Sequence, residues 1–216
     1  MSHEHPSPPA TPYHQHEIHD FFETLDELRK RGICGDPDGP NSLYIPSASL
    51  NEYFQDSKQV TRLLRAVFGK DTHLPVDAAT VAAYCPKVFS ILLLIGHAHL
   101  IQQFVTNENL RDTKLPFEEN CPSFPPLTGP VAREAALKQF RAKQWQFSAH
   151  VFREHDRNID MRLDSNIILP IQILEPLSPG GTAKLFKVEI DEEYDQLHKS
   201  RVGFLPFKVL SCPSPS

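Results

Sequence analysis

Apolar residues recur every three or four positions along much of the chain, which is the spacing of an amphipathic helix. The first such stretch is EIHDFFETLDELRKRG, in which acidic residues lead, basic residues trail and Gly32 stands at the expected C-terminal cap. After it, CGDPDGPN predicts a turn, and LNEYFQD predicts a short helix capped by Ser47 or Ser49. KQVTRLLRAVFG then predicts a helix with Ser57 as its N-cap and Gly69 as its stop.

The centre of the chain is the most apolar part. PVDAATVAAYCPKVFSILLLIGHAHLIQQFV predicts two or three helices, divided at Pro86 and bent or broken at Gly96. The next stretch, VTNENLRDTKLPFEENCPSFPPL, has no helical spacing and is rich in proline. We expect it to wrap irregularly over a surface, held by four apolar anchors: Leu110, Leu115, Phe117 and Phe124.

A further helix is predicted over TGPVAREAALKQFRAKQWQFSAHVF. Pro130 stands in its first turn, where the missing N–H removes no hydrogen bond. The residues expected on its buried side are Val131, Ala135, Leu137, Phe140, Trp145 and Phe147.

The pattern changes from helical to β after residue 165. NIILPIQILEPL is rich in β-branched residues, AKLFKVEI alternates apolar and polar residues, and SPGG lies between them, so a β-hairpin is predicted. DEEYDQLHKS then predicts a short turn or helix. Because a lone hairpin is marginal in water, we expect its apolar residues to dock on the helices near Trp145 and Phe147. These residues are Ile168, Ile171, Ile173, Leu185, Phe186 and Val188.

The elements together predict a mainly α protein with a C-terminal β-hairpin, an α+β fold. The expected organisation is a disordered tail over residues 1–17, a helical domain over 18–155, the hairpin over 166–197 and a disordered or aberrant tail over 198–216. The prolines, 20 in number against nine glycines, concentrate in the two tails and in the irregular segment.

Composition excludes several classes of function. With 22 basic and 27 acidic residues the net charge is -5, which offers no basic stripe for nucleic acid. The longest apolar run, VFSILLLIG, is shorter than the ~20 residues that span a bilayer. The N-terminus lacks the order of a signal peptide, so a cytoplasmic or nuclear protein is expected.

Cysteine and histidine spacing does not predict a metal site. The cysteines are scattered without a CxxC pair and are expected to be reduced thiols: Cys34, Cys85, Cys121 and Cys212. The N-terminal histidines lack the cysteine or carboxylate cluster that would close a site: His3, His5, His14, His16 and His19. His97 and His99 are two residues apart and would face different sides of a helix.

The hairpin resembles the opening of a protein kinase domain, in which strand one, a glycine-rich loop and strand two follow one another. On the pattern G-x-G-x-x-G-x-V, the first glycine falls on Ser178, the second on Gly180, the third on Ala183 and the valine on Leu185. Gly181 adds a glycine beside the second position. The resemblance implies a loop whose backbone N–H groups approach phosphate oxygens, with Leu185 against an adenine ring.

The resemblance extends upstream of the hairpin. LLLIGHAHLIQQFVTNENLRDTKLPFE, FRAKQWQFSAHVF and NIILPIQILEPLSPGGTAKLFKVEIDEEYDQL, in this order, look like a group of filamentous-fungal proteins. In that group a helical N-terminal region precedes a divergent serine/threonine kinase domain. The resemblance covers residues Phe21 to Leu197 and carries no function for the helical region.

The catalytic motifs of a kinase are missing from these 216 residues. HRD and DFG do not occur, and Lys208 in FLPFKVL is the one candidate for the strand-three lysine. Only eight residues follow it, too few for helix C. The unusual tail after about Arg201 suggests a retained intron or a frameshift, so we expect a truncated product of a longer kinase-like gene.

Three functions follow as alternatives. The first is a truncated, catalytically inactive kinase-like protein, either an interaction or regulatory module that meets a protein partner through apolar helical surface, or a non-functional remnant. The second is a nucleotide-binding fragment that acts only with another chain. The third is a helical structural protein without a nucleotide role. No cofactor is predicted from the residues, and ATP enters through the resemblance alone.

Overall fold

A computed structural model describes residues 12–34, 41–70, 72–118, 121, 123–125, 130–153, 164–176 and 186–197. The helices are α1 (Pro12–Leu28), α2 (Ser47–Gln55), α3 (Ser57–Phe68), α4 (Ala78–Tyr84), α5 (Pro86–Leu94), α6 (Ile101–Thr106) and α7 (Pro130–Gln144). The strands are β1 (Lys30–Cys34), β2 (Asn41–Tyr44), β3 (Phe152–Arg153), β4 (Ile168–Leu169), β5 (Ile171–Pro176), β6 (Phe186–Ile190) and β7 (Asp195–Gln196). The predicted class, mainly α with some β structure, is confirmed.

The chain divides into two compact units that differ from the domains expected from sequence. Unit 1 comprises Met1–Leu28 and Leu50–Arg141, and unit 2 comprises Arg29–Ser49 and Ala142–Ser216. An N-terminal segment therefore belongs with the C-terminal strands. The reason is backbone pairing: β1 is antiparallel to β2 on one side and to β4 on the other.

The first helix differs at both ends from its prediction. α1 begins at Pro12, so residues 12–17 are helical and only residues 1–11 of the expected tail lie outside the described part of the chain. The helix ends at Leu28, and Gly32 is a strand residue, not a helix cap. A Cβ on Gly32 would lie 2.6 Å from the Leu169 carbonyl oxygen and 2.8 Å from Ile168 Cγ2. Glycine at this position lets β1 approach β4 closely.

The helices of unit 1 begin and end for local reasons. Asp56, not Ser57, caps α3, because its carboxylate accepts a hydrogen bond from the Lys58 N–H at 2.9 Å. Gly69 ends α3 with φ +97°, as predicted. The prediction for the apolar centre is also confirmed, because α4 and α5 are divided at Pro86 and Gly96, with φ +73°, follows the end of α5.

The core of unit 1 contains two aromatic groups. In the first, the Phe54 ring lies edge-on to Phe21 and Phe89, at centroid distances of 6.1 and 6.3 Å. In the second, Phe117 and Phe124 from the irregular segment contact Phe140 of α7, at 5.2 and 5.8 Å. Leu110 is also buried and Leu115 is half-buried, so the predicted anchoring of this segment is confirmed.

The predicted buried side of α7 was partly wrong. Val131 is 79% exposed and Ala135 is exposed, whereas Ala136, Leu137 and Phe140 are buried. The apolar spacing predicted burial correctly for Leu137 and Phe140 and incorrectly for Val131 and Ala135. The helix ends in a 3₁₀ turn, Trp145–Phe147, in which Phe147 is buried and Trp145 is half-buried.

Unit 2 is built around its strands. In one cluster Ile33, Phe152, Ile171 and Leu197 are buried together, with Val188 and Ile190 packed against them. In a second cluster Tyr44, Ile168 and Tyr194 are buried, with Trp145 against them. The predicted docking of Ile168, Ile171 and Val188 on helices is therefore wrong in the main, because most of their apolar partners belong to strands and to the turn after β6. These partners are Ile33, Tyr44, Phe152, Tyr194 and Leu197. The predicted packing near Trp145 is confirmed, because Trp145 packs against the cluster that contains Ile168.

Candidate functional site

The predicted nucleotide site lies between two strands that form as expected. β5 and β6 are antiparallel, and their register runs from the pair Ile171 with Ile190 to the pair Pro176 with Phe186. A bulge separates Ile171 from Ile173. The predicted hairpin strands are thus confirmed over residues 171–176 and 186–190.

The residues assigned to phosphate and adenine contact lie outside the described residues. They are Ser178, Gly180, Gly181, Ala183 and Leu185 in residues 177–185, and Lys208 in residues 198–216. Their contact with a nucleotide stays a prediction. Beside this loop the structure describes one exposed ion pair, from Lys187 Nζ to Glu175 Oε2 at 3.2 Å.

A buried carboxylate that sequence reasoning missed lies at the end of β6. Asp191 is 4% exposed. Its Oδ2 atom accepts hydrogen bonds from Lys30 Nζ at 2.7 Å, from the Tyr44 hydroxyl at 2.8 Å and from Gln172 Nε2 at 3.2 Å. Its Oδ1 atom accepts the Glu193 N–H at 3.1 Å. The Asp191 network therefore joins β1, β2, β5 and the turn after β6.

The electrostatics follow from this geometry. Burial by itself would raise the pKa of Asp191, but the hydrogen bonds from Lys30 and Tyr44 outweigh it and hold that pKa below its ordinary value. For Tyr44, burial and then the hydrogen bond to Asp191 raise the pKa far above 10. At neutral pH the Asp191 carboxylate is therefore ionised and the Tyr44 phenol is neutral.

The turn after Asp191 is held by a second layer of contacts. The Ser47 N–H donates to the Tyr194 hydroxyl oxygen at 3.1 Å, and the Ala48 N–H donates to Glu193 Oε1 at 2.8 Å. Two of the first N–H groups of α2 are satisfied in this way. The Tyr44 and Tyr194 rings meet edge-on at 5.5 Å.

This arrangement is suited to holding strands together. A general base needs an accessible carboxylate whose pKa lies near the working pH, whereas Asp191 is enclosed and its pKa is lowered. The network therefore has the features of a structural clamp. DEEYD was expected to be a turn or short helix; it forms the turn, and most of the partners that hold it lie more than 140 residues away.

A second carboxylate, which is half-buried, lies in unit 1. Asp112 accepts the Lys87 N–H at 2.7 Å and the Val88 N–H at 2.9 Å, both in the first turn of α5. Burial raises the pKa of Asp112 to about 6, although these two hydrogen bonds act in the opposite direction. Burial also raises the pKa of the Cys85 thiol to about 12, so this cysteine is not an activated nucleophile.

The cysteines and histidines do not form a cluster in the described part of the chain. Cys34, Cys85 and Cys121 are free thiols, as predicted, and Cys212 lies outside the described residues. Across residues 12–197, with the gaps given above, no group of three or more metal-ligating side chains occurs.

Four of the histidines considered above have described side chains: His16, His19, His97 and His99. His16 and His19 contact Asp20 and Glu23 along α1, at 2.8 and 3.4 Å. The rings of His97 and His99 lie 5.9 Å apart, and burial followed by the charge of His97 lowers the pKa of His99. The side chains of His3, His5 and His14 lie outside the description.

A cleft of about 610 Å³ lies at the end of α3 in unit 1. Thr61 and Arg65 line it from α3, and Asp77 and Ala78 line it at the start of α4. The connecting segment supplies the remaining lining residues, namely Lys70, Thr72, His73, Leu74, Pro75 and Val76. Of the lining residues that the structure describes, three are basic and one is acidic.

No family model, no curated protein and no solved structure matches the chain. Of the helices that the structure describes, none has both the length and the apolar character needed to cross a bilayer.

Proposed function

We propose that this chain is a protein-kinase-like protein that does not catalyse phosphotransfer and acts as an interaction or regulatory module. The observation that carries the proposal is the antiparallel β5–β6 pair, which encloses SPGG between Pro176 and Phe186. This is the order that a kinase small lobe requires, with a strand, a glycine loop and a strand.

The residues available for chemistry support the non-catalytic part of the proposal. The 216 residues contain neither HRD nor DFG, so the aspartates that accept the substrate proton and hold magnesium are not supplied by them. The two carboxylates described above already have hydrogen-bond partners, Asp191 in the strand clamp and Asp112 at the first turn of α5. The free thiols of Cys34, Cys85 and Cys121 fit a reducing compartment, the cytoplasm or nucleus.

The second candidate is a nucleotide-binding fragment that acts together with another chain. It is favoured by the position of Gly180 and Gly181 between paired strands, where a backbone could approach phosphate oxygens. This candidate is weakened because β5 and β6 form a two-stranded sheet, which offers few groups to enclose ATP. A role as a plain helical structural protein is the third candidate.

Titration calorimetry with Mg-ATP separates these candidates. We expect no heat of binding at millimolar ATP and no transfer of labelled phosphate to a generic protein substrate. Binding that Gly180→Val abolishes and Ala132→Val leaves unchanged would favour the nucleotide-binding fragment. Phosphate transfer by the isolated chain would overturn the proposal. Ala132 is the control because it is exposed on α7.

A further inference from the structure

The outer face of α3 carries basic charge only. Lys58, Arg62 and Arg65 are exposed and follow one another at intervals of four and three residues, which places them on one side of the helix. The buried residues Val60, Leu63 and Leu64 occupy the opposite side. No acidic residue occurs in α3, although acidic residues exceed basic ones in the chain as a whole.

The three cations are not used to stabilise the unit through ion pairs. Within the described ranges, the ion pairs involve other side chains, and none joins Lys58, Arg62 or Arg65 to a carboxylate. Exposed like charges in a row repel one another. An anionic partner would reduce this repulsion, so its binding would stabilise α3.

The cleft lies at one end of this row, and Arg65 belongs to both. Of the described residues that line the cleft, the acidic one, Asp77, faces α4: its Oδ2 atom accepts the Thr80 N–H at 3.0 Å and the Thr80 hydroxyl at 3.1 Å. The hydroxyls of Thr61 and Thr72 already donate to the carbonyls of Ser57 and Gly69. The exposed Arg65 guanidinium is then left to face a ligand as the cationic group that α3 contributes to the cleft.

We propose that this basic face, made of Lys58, Arg62, Arg65 and the cleft, binds an acidic segment of a partner protein. A phosphorylated side chain of that segment occupies the cleft. The guanidinium group of arginine can donate two parallel hydrogen bonds to a phosphate group. Such charge-assisted hydrogen bonds are stronger than hydrogen bonds between neutral groups. A cavity of about 610 Å³ has room for a phosphorylated side chain and its neighbours.

Two other anionic partners fit less well. A membrane surface calls for apolar side chains beside the cations, but the exposed large apolar residues of the described ranges are Leu43, Tyr84 and Val131, which lie outside α3 and the cleft. Single-stranded nucleic acid calls for aromatic rings on which bases stack, and of the described residues that line the cleft only His73 has an aromatic ring.

The inference rests on the proposed role as an interaction module but not on the hairpin. Fluorescence anisotropy of the full chain with a labelled peptide, one phosphoserine flanked by aspartates, tests it. We expect the phosphoserine peptide to bind at least about tenfold more tightly than the same peptide with serine, a difference of ~1.4 kcal/mol. The double variant Arg62→Gln/Arg65→Gln should lose about tenfold in affinity, whereas Lys138→Gln, an exposed cation on α7 of the same unit, should retain the wild-type affinity.

Lys58→Gln provides a second variant, which removes one charge from the exposed side of the first turn of α3. Circular dichroism melting of each variant establishes that it folds. Equal affinity for the two peptides, or no loss in either α3 variant, would overturn the inference. So would tighter binding to phosphatidylserine vesicles or to single-stranded RNA than to the phosphopeptide. A failed peptide titration leaves the proposed function standing, because phosphate transfer by the chain is measured separately.

Discussion

The hydroxyl of Tyr44 donates a 2.8 Å hydrogen bond to Oδ2 of Asp191 across 147 positions of sequence. Both side chains are buried, and the Tyr44 ring is fully enclosed. The pair therefore fastens β2 to the turn that follows β6. A hydrogen bond to a buried charged group is worth more than one between neutral groups.

Tyr44→Phe removes this donor and keeps the ring. We expect unit 2 to lose roughly 1.5–3 kcal/mol in unfolding free energy, the usual range for a hydrogen bond to a charged group. Urea unfolding followed by the fluorescence of Trp145 is the suitable measurement, because this single tryptophan packs against the cluster that contains Tyr44. Tyr84→Phe on the 48% exposed Tyr84 is the control. Equal loss in both variants would contradict the clamp.

Asp191 should make the stability of unit 2 sensitive to acid. Its folded-state pKa is lowered, so the folded state releases this proton more readily than the unfolded chain does. The resulting stabilisation is present above the unfolded value, near ~3.9, and is lost as the pH falls through the lower folded value. In Asp191→Asn the dependence of the Trp145 unfolding midpoint on pH below ~4 should become flatter. A slope unchanged by the substitution would count against this account.

Asp112 should make unit 1 less stable as the pH rises, which is the opposite of the effect of Asp191 on unit 2. Its folded-state pKa of about 6 exceeds the ordinary 3.8, so the folded state binds a proton more tightly between those values. The contribution of this group to the unfolding free energy therefore falls as the pH rises from ~4 to ~6. Hydrogen exchange of the Val88 amide, which donates to Asp112, should quicken over that window relative to intrinsic exchange. The same protection profile in Asp112→Asn as in the wild type would refute the assignment.

Gly32→Ala should destabilise unit 2, whereas Gly96→Ala should destabilise unit 1. An added methyl at Gly32 would meet backbone and side-chain atoms of β4 within 3 Å, so we expect a loss of roughly 1–3 kcal/mol in unit 2. Gly96 has open space but a φ of +73°, so alanine there should cost about 1 kcal/mol in unit 1. The Trp145 transition reports the first change and should not respond to the second. An unaltered Trp145 transition in Gly32→Ala would disprove the close approach of β1 to β4.

Sequence alone predicted the elements whose causes are local. Helical spacing located α3 to α6, Gly69 and Pro86 marked their ends, and alternation with SPGG located β5 and β6. β1 was missed because DELRKRG has the charge order and the glycine of a helix C-terminus. Its conformation is decided by pairing with β4, about 135 residues later.

The Asp191 network was missed for the same physical reason. Lys30, Tyr44 and Gln172 carry no mark in the sequence that assigns them to one carboxylate. The cap of α3 was also predicted wrongly. Asp56 and Ser57 are neighbours with similar capping chemistry, and only their backbone conformations decide which of them caps the helix.

The division of unit 2 into two separate stretches of sequence has a consequence for biosynthesis. Residues 29–49 leave the ribosome long before their partners, because Asp191 is translated 147 residues after Tyr44. At ~5–20 residues per second this delay is roughly 7–30 s. For that time the segment around Tyr44 has no carboxylate to bind and no β4 to cover it, so nascent chains should depend on chaperones most strongly in this interval.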